Sequence, residues 1–431
     1  MLNKLTEKIF RKKNINSEFL ININSLEDLK YFNGVNQILE VLKKHNKSTK
    51  LMLVGGCVRK LLNKEKIDDI DIAININPEE IRNILILEKI NFLETGISHG
   101  TITIIINNLK FEVTTLRKDI STDGRHADVE FISDWEIDAK RRDFTINSIY
   151  LSPRGEIYDP LEGLKDLKNG IVRFIGDPDK RIKEDYLRIL RYLRFYTQYS
   201  KCQHADETSK AIKKNLQGLI NISKERIIDE LFKILKLKNF GNLFKNEFTS
   251  FIFLSIFPQL KYYNRLNLIN KISNNISNRL NSNLLLSILL IDNSDNSEFF
   301  LYKYNLSNKI KKKILFIKNN FKKKIFEDLF DRKKLSKISY INGIQNTIDL
   351  LVISIFLVDN VDINLVEKRI NFLENYEIPI FPIETQYLKS EYGFSEGVEL
   401  GKAIKQLKQY WLDHNFKIEK KEIKKILKIK Y

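Results

Sequence analysis

Apolar and polar positions follow two different periods along this chain. Residues 48–175 carry short apolar runs and two-residue alternation mixed with helical spacing, whereas from about residue 176 apolar side chains recur every three or four positions. The run Leu51–Val54 predicts a buried strand ending on Gly55–Gly56, and Val58, Leu61 and Leu62 follow at helical spacing. A second strand is predicted from Ile70 to Ile74, and Pro78 opens a helix over 78–89. Strands at 101–107 and 109–116 meet at Asn107–Asn108, a tight hairpin signal. The polar segment Lys118 to Asp128 reads as a mobile loop. A short helix near 134–149 contains RRDFTINSIY, and 155–175 returns to strand and turn.

Residues 1–47 read as a basic extension with two short helices. Ser25 and Asp28 form a capping box before Leu26, and Val35, Ile38, Leu39 and Leu42 give the apolar spacing near 35–45. In the helical half, 181–199 predicts one amphipathic helix with Ile182, Tyr186, Ile189, Leu190, Leu193 and Tyr196 on its apolar stripe. Further helices are predicted at 223–237 and 398–413, and the Asn-rich stretches 272–283 and 292–297 read as loops. Lysine runs at 309–313 and 322–324 sit on helical patterns, and a lysine-rich tail closes the chain.

A chain of 431 residues can bury a substantial core and divides into two or more domains. Its 73 basic against 55 acidic residues leave +18, which favours a polyanionic partner such as nucleic acid. With 43% hydrophobic residues the chain is not disordered, and no apolar run is long enough to span a bilayer. The first residues lack the apolar core of a secretory signal. Two cysteines, Cys57 and Cys202, make neither a disulfide framework nor a zinc cluster, so a cytoplasmic, reducing setting is expected.

Three constellations carry chemistry. In the first, Asp69 and Asp71 stand two residues apart on a strand, so both carboxylates project to one face, about 6.6–6.8 Å apart along the chain. Convergent carboxylates suit Mg²⁺, which takes protein oxygens together with substrate phosphates. The Gly55–Gly56 turn lets a phosphate approach backbone N–H groups at a helix N-terminus, with Arg59 one turn on. Glu112 is either a third carboxylate of this site or a solvated strand residue. The second constellation is Arg141–Arg142–Asp143, with Asn147 behind it. Arginine forks suit phosphate and a carboxylate suits a ribose hydroxyl, although a helix cap with surface arginines has the same pattern. The third is EDYLRILRYLRF, where Asp185 and Arg188 stand at i, i+3. The pair is either a helical salt bridge or a protein template for a base. Aspartate accepts from the amino group of C or A while arginine donates to the neighbouring ring acceptor; G and U present a carbonyl there and face the aspartate with the wrong sign. Arg191 and Arg194 lie about 4.5 and 9 Å further along the axis, a suitable reach for phosphates.

These stretches, in this order, resemble the class II tRNA nucleotidyltransferases (CCA-adding enzymes) and their bacterial poly(A) polymerase relatives. GGCVRK…DDIDIA resembles the family's metal-binding motif, RRDFTINS its ribose motif, EDYLR its base-template motif and ISKERIIDEL its neck motif. DGRHA, with Asp123 and Arg125, falls where the family has a flexible loop. Lys60 departs from the aspartate usual after VR. The resemblance implies an α+β fold: a polymerase-beta-type nucleotidyltransferase head of mixed sheet and helices, then an all-α neck, body and tail. The corresponding divisions are an N-terminal extension (1–47), head (48–175), neck (176–238), body (239–335) and tRNA-binding tail (336–431).

It further implies two-metal phosphoryl transfer with Asp69 and Asp71 as metal ligands, Glu112 as a possible third, and two divalent ions, Mg²⁺, as cofactors. Gly55, Gly56, Arg59, Arg191 and Arg194 would bind triphosphate, Arg142 and Asp143 ribose, and Asp185 with Arg188 the base. Glu184, Glu225 and Arg226 would support the template, and the Asp123–Arg125 loop would re-aim it between C and A. TGISHGTITIII resembles the CCA-adding branch, so the implied partners are tRNA, CTP and ATP, with no membrane. The alternatives are poly(A) addition, a partial C- or A-adding enzyme, and a non-catalytic RNA-binding relative.

Overall fold

The computed structural model describes residues 26–122, 127–322 and 325–428. Residues up to Ile256 form one compact unit and Phe257 onward a second. Helix α1 (Leu26–His45) precedes β1 (Leu51–Val54), α2 (Gly56–Leu62), β2 (Ile70–Ile74), α3 (Pro78–Leu87), β3 (Phe92–Gly96), β4 (Thr101–Ile106) and β5 (Leu109–Thr115). Seven strands make one sheet in the order β3-β4-β5-β2-β1-β8-β9, where β8 is Tyr150–Leu151 and β9 Ile157–Tyr158. Only β2 and β5 pair in parallel; the other neighbours are antiparallel. The mixed sheet follows from the connections: β4 and β5 are joined by a two-residue turn, while β2 reaches β5 only after a helix and two strands.

Alternation decides the core. Leu51, Leu53, Ile70, Ile72, Ile102, Ile104, Phe111 and Val113 are buried, and α1 closes over Phe111 at Gly34, where a Cβ would lie 2.3 Å from the ring. Asn107 and Asn108 both take positive φ (50° and 64°), as a tight hairpin turn requires.

Several expectations are corrected. The region 26–45 is one helix of 20 residues rather than two short ones; Ser25 and the basic extension lie outside the described residues. The segment expected to be a loop at 118–128 is largely a hairpin, β6 (Arg117–Thr122) with β7 (Ala127–Phe131). Its polar composition hid it, because a two-stranded ribbon need not bury a face. The helix expected over 134–149 stops early. Helix α4 covers Trp135–Lys140, and RRDFT follows in a turn leading to a 3₁₀ turn at Thr145–Asn147. Helix α5 (Gly163–Asn169) arises where strand and turn were expected.

The single helix predicted at 181–199 is two, α6 (Pro178–Glu184) and α7 (Arg188–Tyr199). Asp185 breaks it with φ −155° and ψ 104°, its Oδ1 accepting from the Leu187 N–H at 3.1 Å. Periodicity missed the break because Ile182, Leu187, Ile189, Leu190 and Leu193 are buried on both sides of it. Helix α8 (Asp206–Asn215) and α9 (Lys224–Leu235) complete the elements that frame the site. The second unit is helical throughout, its longest helices being Asn308–Lys322, Ile344–Leu357 and Val398–Asp413. Part of the 272–283 stretch, Asn274–Ser277, is itself a helical turn. No helix among the described residues is long and apolar enough to cross a membrane.

Candidate active site

A cavity of about 900 Å³ in the first unit brings the three constellations together: Gly55, Asp69, Asp71, Arg142, Asp185 and Arg188 all line it. Gly55 leaves β1 with φ +74°, a conformation that L side chains rarely adopt, and turns the chain into α2. A Cβ there would stand 3.7 Å from both Asp71 Oδ2 and Arg142 Nη1, so the turn, the carboxylate and the arginine converge at one point. A Cβ on Gly56 would meet nothing within 4 Å, so the chain's need for glycine lies at Gly55.

Asp71 pairs in parallel register with Glu112, so the two side chains project from one face of the sheet. Asp69 and Glu112 are exposed, and Asp71 is partly buried. Burial, then the Glu112 charge, push the Asp71 carboxyl up to about 6. Asp69 and Asp71 line the cavity and offer hard carboxylate oxygens to a divalent cation, while Glu112, expected as a third ligand, is not among the lining residues. Cys57 beside them is buried, and burial and the Asp71 charge raise its thiol to about 12, which makes it inert. Lys60, the departure from the family pattern, pairs with Asp68 rather than with Asp69 or Asp71.

The arginines expected to face triphosphate have protein partners. Arg191 donates to Asp143 Oδ2 from Nε at 2.7 Å and Nη2 at 2.5 Å. Asp143 Oδ1 accepts from Asn147 Nδ2 at 2.7 Å and the Phe144 N–H at 2.9 Å, so the carboxylate expected to read ribose is fully engaged within the protein. Burial alone would raise its pKa, but the Arg191 charge and hydrogen bonds, the Asn147 hydrogen bond and the Arg188 charge together outweigh burial and hold it at about 2. Arg194 donates to Glu230 Oε1 at 2.5 Å. Arg59, 4% exposed, donates to Asn147 Oδ1 and stacks 4.6 Å from the Phe195 centroid and 5.0 Å from Tyr199, with Nε unpartnered. Electrostatics explains the arrangement: buried guanidiniums are retained where a carboxylate or an aromatic face compensates them.

The template pair is not a helical i, i+3 pair, because Asp185 lies outside α7. Arg226 of α9 donates from Nη2 to Asp185 Oδ2 at 2.7 Å. Arg188 Nη1 donates to Glu184 Oε2 and to the Arg181 carbonyl, both at 2.6 Å. Glu225, expected to support the template, is exposed on the first turn of α9, and buried Glu230 of the same helix pairs with Arg194 instead. Asp123 and Arg125 lie outside the described residues.

Three residues escaped the sequence. Arg181 donates to Glu184 and, through Nη2, to the Arg141 and Arg142 carbonyls, tying α6 to the RRD turn. Glu230 could have been found as an acid on the apolar stripe of α9. Asp138, 1% exposed, could have been found from its i, i+3 and i+4 spacing to Arg141 and Arg142.

Known proteins share this architecture. A family described as "Poly A polymerase head domain" matches residues 51–173, and one described as "Probable RNA and SrmB-binding site of polymerase A" matches 205–264. The mitochondrial CCA tRNA nucleotidyltransferase 1 of Mus musculus is 34% identical over 412 residues, covering 92% of this chain and 90% of that protein. The CCA-adding enzyme of Staphylococcus haemolyticus is 33% identical over 333 residues, 76% of this chain and 78% of that one. The crystal structure of the Bacillus stearothermophilus CCA-adding enzyme in complex with CTP superposes with a TM-score of 0.67 at 23% identity, over 92% of this chain and 97% of that chain, a likeness of fold. With a third of its residues identical to a relative along nearly the whole of both chains, this chain belongs to the family of CCA-adding tRNA nucleotidyltransferases.

Proposed function

We propose that this protein adds C, C and A to the 3′ end of tRNA, taking CTP and ATP and releasing pyrophosphate. The observation that carries this reading is that the Gly55–Gly56 turn and the carboxylates of Asp69 and Asp71 line one cavity together with Asp185 and Arg188, an aspartate–arginine pair suited to C and A. The names of the relatives favour CCA addition over poly(A) addition. Asp69 and Asp71 fit a divalent metal: both line the cavity, and burial with the Glu112 and Asp69 charges raises the Asp71 carboxyl, an excess of negative charge that a cation would offset. Among the described residues no group of three or more acidic, His or Cys side chains closes a metal cage by itself. Asp69 and Asp71 would hold the metal, and two Mg²⁺ ions, when bound, would activate the 3′ hydroxyl and offset the triphosphate charge.

The chain's own groups position the rest. Backbone N–H groups of the Gly55–Gly56 turn and Arg142 Nη1 bind triphosphate oxygens, placing the α-phosphorus for in-line attack. Asp185, held by Arg226, keeps a lone pair on each oxygen for the amino group of C or A. Arg188 Nη1 is committed to Glu184 and Arg181, so Nε and Nη2 are the donors it offers to the ring. Asp143 acts by holding Arg191 and Asn147, and its contact with ribose requires it to release one of them. Both cysteines are free thiols, which fits a reducing compartment such as the cytoplasm.

The test uses purified protein, Mg²⁺ and tRNA transcripts lacking CCA, with products resolved at single-nucleotide length. Two additions from CTP alone and three from CTP with ATP are expected. Addition of only C or only the last A makes it a partial enzyme, a long ladder from ATP a poly(A) polymerase, and no addition a binding protein.

A further inference from the structure

Asp138 gathers four donors from three separate elements. Its Oδ1 accepts from Arg141 Nε at 2.8 Å and from the backbone N–H of Arg117 at 3.3 Å. Its Oδ2 accepts from Tyr150 Oη at 2.7 Å and Arg142 Nη2 at 3.1 Å. Arg117 is the first residue of β6, so one oxygen grips the base of the β6–β7 hairpin and the other grips Arg142. The opposite end of that guanidinium, Nη1, faces the Gly55 turn. Arg117 also donates to the His99 carbonyl, while its Nε and Asp119 Oδ1, 3.5 Å apart at the cavity wall, are buried without a hydrogen bond. The base of the hairpin is therefore tied to the Gly55 end of the cavity through one carboxylate, and its Arg117–Asp119 ion pair is held at the cavity wall without a hydrogen bond to either of those atoms.

We propose that Asp138 is a positioning residue that couples the hairpin to the occupied nucleotide site: a polyphosphate drawing on Arg142 Nη1 shifts Asp138, and Asp138 resets the anchor of β6 at Arg117. The proposal rests on the reading that polyphosphate binds at the Gly55 turn. It assigns the response of the hairpin to the phosphates, not to the base or the sugar. Four donors on one buried carboxylate make the coupling stiff, because moving one fork displaces an oxygen whose other partners belong to different elements.

The test is backbone amide exchange of the full chain with Mg²⁺ alone, with tripolyphosphate and with CTP. In the wild type, both ligands should slow exchange in the 55–60 turn, and both should slow residues 117–119 and 129–131 by about fivefold or more. In Asp138→Asn, which keeps the shape and loses the charge, the turn should still respond and the hairpin should not. A turn that does not respond to either ligand overturns the phosphate site itself. A responding turn with a hairpin that ignores tripolyphosphate, or a hairpin that still responds in Asp138→Asn, overturns the coupling alone. Should the variant fail to fold, the wild type alone still overturns the coupling if the turn responds to tripolyphosphate and the hairpin does not.

Discussion

Replacing Asp71 by asparagine should make the metal-free protein more stable while abolishing nucleotide addition. Burial and the neighbouring Glu112 charge raise its carboxyl from an ordinary 3.8 to about 6, so the fold disfavours the ionised form. The folded state then binds the proton more tightly than the unfolded chain. The protein pays nothing for Asp71 below about pH 4, loses stability as the pH rises through 6, and carries the full cost above it. Two units at 1.36 kcal/mol each set an upper bound of about 3 kcal/mol, which Asp71→Asn should recover in part at pH 7.5 and not at all near pH 4. The assay is denaturant unfolding of chelator-treated wild type and variant across that range, repeated with Mg²⁺, which should narrow the gap by stabilising the wild type alone. A variant less stable than the wild type at pH 7.5, or a difference that does not change with pH, would refute the view that Asp71 is held in an unfavourable charged state awaiting a cation.

Two further outcomes follow from the ion pairs. Arg226→Ala removes the donor that holds Asp185. Misincorporation of U and G relative to C and A should rise about tenfold in single-turnover reactions with each nucleotide, and unchanged discrimination would show that Arg226 does not orient the template. Asp143, held at about 2 chiefly by Arg191 against its burial, stabilises the fold at neutral pH and gives up that contribution as pH falls from about 4 towards 2. Asp143→Asn should therefore cost about 3 kcal/mol or more at pH 7 by leaving Arg191 uncompensated, and should flatten the acid limb of the unfolding profile. A variant with wild-type stability and an unchanged acid limb would remove Asp143 from the framework.

Much of the head was legible because its signals are local. The Leu51–Val54 run, the glycine pair and the strand at 70–74 read correctly in both kind and position, as did the Asn107–Asn108 hairpin. Helix Val398–Asp413 emerged with its predicted limits, since a long amphipathic repeat leaves little room for another period. The hairpin at 117–131 did not emerge. Its two strands pair only with each other, and although Ala127, Val129 and Phe131 alternate with Asp128 and Glu130, the first strand is mostly polar, so that short alternation was outweighed by the polar composition of the segment. Strand β3 was missed for a related reason: Phe92–Gly96 lies at the sheet edge and mixes polar with apolar side chains.

The sequence by itself determined which residue types could do this chemistry and in what order they occur, because strand alternation, glycine turns and acid spacing act over a few residues. Only the tertiary structure decided which charges remain available to a ligand. Asp143 and Arg191 lie 48 positions apart, Asp185 and Arg226 41, and Arg194 and Glu230 36. Nothing in the spacing of those residues announces the pairings. A guanidinium read as a phosphate ligand in the sequence is, once buried, obliged to find compensation, and in Arg191 and Arg194 it finds it in the protein. The break at Asp185 was decided in the same way. Both α6 and α7 keep their apolar faces inward, so the hydrophobic pattern is satisfied with or without it, and the hydrogen bonds to Leu187 and Arg226 set the chain's course.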